Sequence, residues 1–183
     1  MKIYLLRHGQ TDYNDKGIIQ GDLPISLNEN GINQAFEAKK QIDNIDIDLI
    51  ISSPIVRTME TADIVNKGRN IKIITDKRLE ERGLGMLVNK PVSYYETVDY
   101  WNLESDLDFD NGVEPVLELL ERTKEFLIEM KNKYHDKNIL IVSHRDSLRA
   151  IVMNLQGFDK CDLDIDNGEL LEYEIGWLNV YIW

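Results

Sequence analysis

The sequence predicts an α/β fold of three layers, with a mainly parallel central sheet and helices on both faces. Short apolar runs closed by turn signals alternate along the chain with stretches of helical periodicity, the pattern of βαβ units. The run Ile139-Leu140-Ile141-Val142 is apolar throughout, as a buried strand is. At 183 residues, 43% of them apolar and 30% charged, the chain can bury a full core without disulfides or metal.

The elements follow in order. Residues 2–6 form a first strand. Asn28 caps a helix running to about Ile42, with Ile32, Ala35, Phe36 and Ala38 on its mixed apolar face. Residues 48–52 make a short second strand closed by Ser53-Pro54, and Pro54 suits the first turn of a helix through Val65. Residues 71–74 are a third strand. From 76 to 112 the periodicity fades around Tyr94, Tyr95, Tyr100 and Trp101, which suits an excursion packed over the sheet edge. Glu114 to about Lys133 is the longest helical signal, carried by Val116, Leu119, Leu120, Phe126, Leu127 and Met130. The strand 139–142 ends at Ser143-His144, and 147–155 reads as a helix. Residues 169–175 and 178–183 are closing strands, joined near Gly176 as a hairpin that adds antiparallel edges. No repeat or linker divides the chain, so 1–183 is expected to be a single domain.

Composition narrows the partners. With 21 basic and 33 acidic side chains the net charge is −12, which disfavours nucleic-acid backbones and anionic membranes. No apolar stretch approaches the roughly 20 residues that span a bilayer, and no cleavable signal pattern follows the first strand, so a cytoplasmic location is expected. Cys161 is the lone cysteine and can form no internal disulfide. Monomer and homodimer both remain open. An anion-binding protein with this charge must gather its few arginines where the anion sits.

Such a gathering is visible. Arg7-His8-Gly9 ends the first strand, Arg57 lies just past the second, Glu81 follows the third, and His144 follows the strand at 139. The carboxyl ends of strands in an open α/β sheet form the crevice where ligands bind. Arg57 also falls near a helix N-terminus, where free amides and the dipole favour an anion. Two histidines, two arginines and a carboxylate are the parts required to move a phosphoryl group. With three histidines, one cysteine and no acidic ligand spacing, neither a metal nor a cofactor is expected.

The motifs Arg7-His8-Gly9-Gln10-Thr11-Asp12-Tyr13-Asn14, Leu27-Asn28-Glu29-Asn30-Gly31, Ser53-Pro54-Ile55-Val56-Arg57-Thr58, Leu79-Glu80-Glu81 with Gly85, Gly112-Val113-Glu114 with Arg122, and Val142-Ser143-His144 with Ser147-Leu148-Arg149-Ala150 come in register. Together they resemble the histidine phosphatase superfamily, which includes the cofactor-dependent phosphoglycerate mutases, and the resemblance implies that family's phosphoglycerate mutase-like fold. It implies that His8 is the nucleophile and that a carbonyl near Gly9 orients its ring. Arg7, Arg57 and His144 would hold the phosphoryl oxygens. Asn14, Gln20 and the Gly21 amide would add phosphate and substrate contacts, with Thr11 in the same opening motif. Glu81 would donate a proton to the leaving oxygen and then activate the acceptor. Composition does not distinguish Glu80 from Glu81, whereas the family's spacing to Gly85 selects Glu81.

Two departures bear on specificity. Arg145 stands where most members have glycine, and could contact a second acidic group on the substrate or point to solvent. Met86-Leu87-Val88-Asn89-Lys90 replaces a frequent tryptophan-glutamate-glycine pattern. His135 reads as a solvated helix end, and Arg122 and Arg149 as structural. The short span between Glu81 and Gly112, without a basic cluster, favours water as acceptor and hence a phosphomonoester hydrolase acting on a small phosphorylated metabolite. A phosphoglycerate mutase is the alternative, and an inactive binding or scaffold member is a second.

Overall fold

A computed structural model describes residues 1–97, 101, 112–157 and 163–175. The sheet is built from β1 (Lys2–Arg7), β2 (Leu49–Ser52), β3 (Ile73–Thr75), β4 (Ile139–Ser143) and β5 (Leu170–Glu174) in the order β3-β2-β4-β1-β5. Every neighbouring pair is parallel except β1 with β5. The α-helices among the described residues are α1 (Asp12–Asp15), α2 (Glu29–Ile42), α3 (Val56–Asn66), α4 (Val116–Tyr134) and α5 (Arg145–Gln156).

Strand alternation divides the core between the two faces. Ile3, Leu5, Ile51, Ile139 and Ile141 pack on Phe126, Leu127 and Met130 of α4 and on Leu148, Ile151 and Val152 of α5. On the other face, Tyr4, Leu6, Ile50, Leu140 and Val142 meet Ala38 and Ile42 of α2 and Ala62 and Val65 of α3. These are the expected three layers. Each fully buried Ile or Leu contributes roughly 2 kcal/mol, so the strand ends rest on a stiff support.

Register decides what those ends present. Arg7 lies opposite Ser143, and Ser52 opposite Val142, so β1, β4 and β2 finish level. The next residues leave side by side, with the His8 amide donating to Ser143 O at 3.1 Å and the Ser53 amide to Val142 O at 2.9 Å.

Local chemistry moves several boundaries. In α2 the Asn28 cap is as expected, its side chain accepting from the Gly31 amide at 2.8 Å. The buried face, however, is Gly31, Ala35, Ala38 and Ile42, while Ile32 and Phe36 point outward at 41% and 37% exposure. Gly31 opens this face because α2 starts hard against the β1 exit: a Cβ on Gly31 would lie 2.0 Å from Gln10 O, and one on Gly9 2.2 Å from Gly31 O. Helix α3 begins at Val56 with Ile55 as its N-cap, leaving Pro54 outside. β3 starts at Ile73 because the Asn66 side chain engages both the N–H and the C=O of Ile71. α4 starts at Val116, since the Glu114 amide donates to Gly83 O and its carboxylate pairs with Arg122. α5 opens at Arg145, two residues earlier than expected, directly after His144.

The excursion contains 3-10 turns at Gly85–Leu87 and Val92–Thr97. Tyr100, the Tyr95 side chain, Cys161 and the expected strand 178–183 lie outside the described residues. Among the described residues no helix is long and apolar enough to cross a membrane.

Candidate active site

His8 follows β1 and is buried. Its Nδ1 lies 2.7 Å from Gly9 O. A carbonyl can only accept, so Nδ1 carries the proton and Nε2 presents a lone pair. Arg57 Nε donates to that Nε2 at 3.1 Å. Burial, with Arg57 and Arg7 adding to it, holds the His8 pKa well below the ordinary imidazole value. The ring is therefore neutral at pH 7.

His144 follows β4 and is also fully buried. The two rings stand edge to face, with centroids 5.2 Å apart. His144 Nε2 is 2.9 Å from Ser53 Oγ, while its Nδ1 is buried with no hydrogen-bond partner. Burial, then Arg57 and His8, keep its pKa low. The Arg7 Nε is likewise buried and unpartnered, although Arg7 Nη1 donates to Ile165 O at 2.5 Å. Two such buried polar atoms beside His8 suit an anion with several oxygens.

Arg57 sits in the first turn of α3, where the dipole favours negative charge. Besides His8 it donates to Leu23 O at 2.9 Å and to Gly21 O at 2.6 Å. Burial lowers its pKa to about 10, which leaves it charged at neutral pH.

Of the two neighbouring glutamates, Glu81 lines the cavity. Its Oε1 accepts from the Arg82 amide at 3.0 Å and from the Asp146 amide, at the start of α5, at 3.3 Å. Burial, with the Asp146 charge behind it, pushes its pKa up to about 7. Glu80 is instead tied through its backbone, which accepts from Ser147 Oγ.

Arg7, His8, Asn14, Gln20, Gly21, Glu81 and Arg145 line a common cavity of about 400 Å³. Arg57 and His144 adjoin it through His8. Thr11 and Gly9, expected among the substrate contacts, are not in its wall. Thr11 caps α1 and is buried, its hydroxyl donating to Gln20 Oε1 at 2.9 Å. Asn14 closes the same cap and accepts from the Gln20 side chain at 3.3 Å. Gly9 serves through its carbonyl and through its close fit to Gly31.

The cavity also includes residues that sequence reasoning set aside or passed over. Arg149 lies in its wall, with Nε donating to Leu163 O at 2.6 Å and its guanidinium 5.0 Å from the Trp101 ring. Its spacing of four from Arg145 on one helix was the available signal. Trp101 both lines the cavity and packs against the cluster of Val116, Leu119, Leu120, Ala150 and Met153. Asp146, Ile18, Ile19, Leu84 and Val92 complete the wall. Arg122 is structural as expected, binding the Glu114 carboxylate through Nε and Nη2 and donating to Arg78 O. His135 caps the end of α4 in solvent. Among the described residues no cluster of three or more His, Cys, Asp or Glu could hold a metal ion.

The model of the histidine phosphatase superfamily (branch 1) matches residues 3–176. Phosphoserine phosphatase 1 of Hydrogenobacter thermophilus is 31% identical over 164 residues, covering 87% of this chain and 78% of that protein. A Yersinia pestis protein named as phosphoglycerate mutase GpmB is 39% identical over 92 residues, 50% of this chain and 43% of its own. The solved structure of a mycobacterial glucosyl-3-phosphoglycerate phosphatase superposes with a TM-score of 0.82 at 22% identity, over 93% of this chain and 91% of that one.

Proposed function

The chain belongs to the histidine phosphatase superfamily, and from that membership we propose that it hydrolyses phosphomonoesters of small metabolites through a phosphohistidine at His8. In this reading residues 1–183 act as one domain, in the cytoplasm. The observation that carries the mechanism is the fixed tautomer of His8: with Nδ1–H committed to Gly9 O, Nε2 offers its lone pair in the same cavity as Glu81.

The phosphoryl group enters between Arg7, Arg57 and His144. One of its oxygens takes the Arg57 Nε donor that now rests on His8 Nε2, which frees the nucleophile as the substrate docks. Arg7 Nε and His144 Nδ1, buried and unpartnered, supply further donors if His144 Nε2 accepts from Ser53 Oγ. The Nε2 lone pair then forms the N–P bond. The ester P–O bond breaks with its electron pair on the alcohol oxygen, which takes the Glu81 proton. With a pKa of about 7, Glu81 is protonated often enough to donate and ionised often enough to accept. In the second half-reaction Glu81 takes a proton from water, the oxygen attacks phosphorus, and the N–P electron pair returns to Nε2. Positioned charge-assisted donors supply much of the rate, each worth about 3 kcal/mol in the transition state.

Rapid acid-free quenching with a 32P-labelled phosphomonoester tests the reading. Base-stable, acid-labile label on the wild type and none on His8→Ala is expected; no label and no phosphate release across a broad metabolite panel overturns it. The likeness to a mutase over half the chain supports a second reading, in which an alcohol replaces water as acceptor. Isomerisation of monophosphoglycerates much faster than phosphate release would favour that one.

A further inference from the structure

Residues 163–165 meet three arginines of the cavity in succession. Leu163 O accepts from Arg149 Nε, the Asp164 carboxylate lies 3.1 Å from Arg145 Nε, and Ile165 O accepts from Arg7 Nη1. Arg149 and Arg7 are thus held by main-chain carbonyls, and Arg149 also by the Trp101 ring. Arg145 differs in kind. Its partner is a side-chain carboxylate, and the two side chains are 42% and 70% exposed. An exposed ion pair of this sort is weak, so an incoming anion displaces Asp164 easily but cannot displace a backbone carbonyl.

Charge leads to the same residue. Arg7, Arg57, Arg145 and Arg149 bring four positive charges to the cavity and its border, against Asp146 and the Asp164 partner of Arg145 once Glu81 carries the proton it must donate. A dianionic phosphoryl group, Asp146 and Asp164 balance these four, so a second anionic group on the substrate has to take the place of Asp164. Arg7, Arg57 and Arg149 are aimed by the contacts already described, which leaves Arg145 as the re-aimable cation. Ile18, Ile19, Leu84 and Val92 in the same wall suit a short carbon skeleton between two anionic ends.

We propose that Arg145 selects phosphomonoesters whose alcohol part carries a second anionic group, a carboxylate or another phosphate, by exchanging Asp164 for that group as the substrate docks. The inference rests on the phosphatase reading above and names the substrate class of that site. It makes Arg145 a specificity residue that touches the leaving group, while Asp164 holds its guanidinium until then.

The test uses substrate pairs matched except for that charge: O-phosphoserine against O-phosphoethanolamine, and propane-1,3-diyl bisphosphate against propyl phosphate. The wild type is expected to prefer the anionic member of at least one pair by about tenfold in kcat/KM, the scale of one charge-assisted contact. Arg145→Gln collapses that preference, Arg145→Lys restores part of it, and Asp164→Asn increases it. A wild-type ratio near one in both pairs, a ratio untouched by Arg145→Gln, or an equal loss for both members overturns the inference, the last by placing Arg145 on the phosphoryl group. The same pairs titrated calorimetrically into His8→Ala, with and without Arg145→Gln, read the ratio as affinities. If none of the four releases phosphate, the affinity ratio in His8→Ala still decides Arg145, and the broad metabolite panel separately decides the phosphatase reading.

Discussion

Replacing Glu81 with glutamine separates what this carboxyl does for catalysis from what it costs the fold. Its pKa is raised from 4.5 to about 7, so the folded protein holds the proton more tightly than the unfolded chain. Below pH 4.5 both states are protonated and the group is neutral in its effect. Between pH 4.5 and 7 the unfolded chain ionises first and stability is lost, reaching a plateau above pH 7. At about 1.4 kcal/mol per pKa unit the full loss is about 3 kcal/mol. Glu81 is only half-buried at the cavity wall, and solvent screening reduces this to about 1–2 kcal/mol. Glutamine keeps a side-chain oxygen for the Arg82 and Asp146 amides but never ionises. Glu81→Gln should therefore melt about 2–8 °C above the wild type at pH 8.5 and together with it at pH 4, by scanning calorimetry. Its kcat should fall by about 10²–10⁴, since no proton can be donated or taken. A stability difference that does not change between pH 4 and 8.5 would refute the reasoning, because it would mean that this carboxyl is not desolvated in the fold.

The same pKa governs rate. The proton donor is lost as pH rises, so kcat/KM should fall about tenfold per unit above pH 7, and Asp146→Asn, by removing the negative charge behind Glu81, should shift that limb to lower pH in a steady-state pH profile. Arg57→Ala should lower kcat by about 10²–10³, and Arg57→Lys should recover little, because one ammonium cannot serve His8 Nε2, Gly21 O and Leu23 O together. Gly9→Ala should destabilise the protein by about 1–3 kcal/mol in urea unfolding, since the new methyl meets the Gly31 carbonyl and neither backbone can retreat cheaply.

What could be read from the sequence was what local order dictates. His8 and His144 each follow an apolar run, so finding the strands placed both at the sheet's carboxyl edge, and the parallel register then brought them together. Glu81 was different. Nothing in its composition separates it from Glu80, and the choice is made by Ser147 and the start of α5, which take up the Glu80 backbone and leave the Glu81 side chain facing the cavity. The face of α2 is legible in part: Ala35 and Ala38 are buried as expected, whereas Ile32 and Phe36 turn outward and Gly31, hard against the β1 exit, takes a place that apolar size does not announce. Arg149 has the structural contacts expected of it, Leu163 O and the Trp101 ring, but these partners come from distant parts of the chain, so local order does not reveal that it also lines the cavity.

The strand order carries a consequence for how the protein is made. β1 lies between β4 and β5, so once it leaves the ribosome it has no neighbour among the described strands until β4 and β5 emerge, Ile3 pairing with Ile139 and with Tyr173. Such long-range pairing makes folding slow and leaves apolar strand surface uncovered during synthesis. His8 and His144 stand on the ends of the β1–β4 seam, which cannot form before β4 has emerged. The growing chain thus keeps the two histidines apart until about 140 residues have been made.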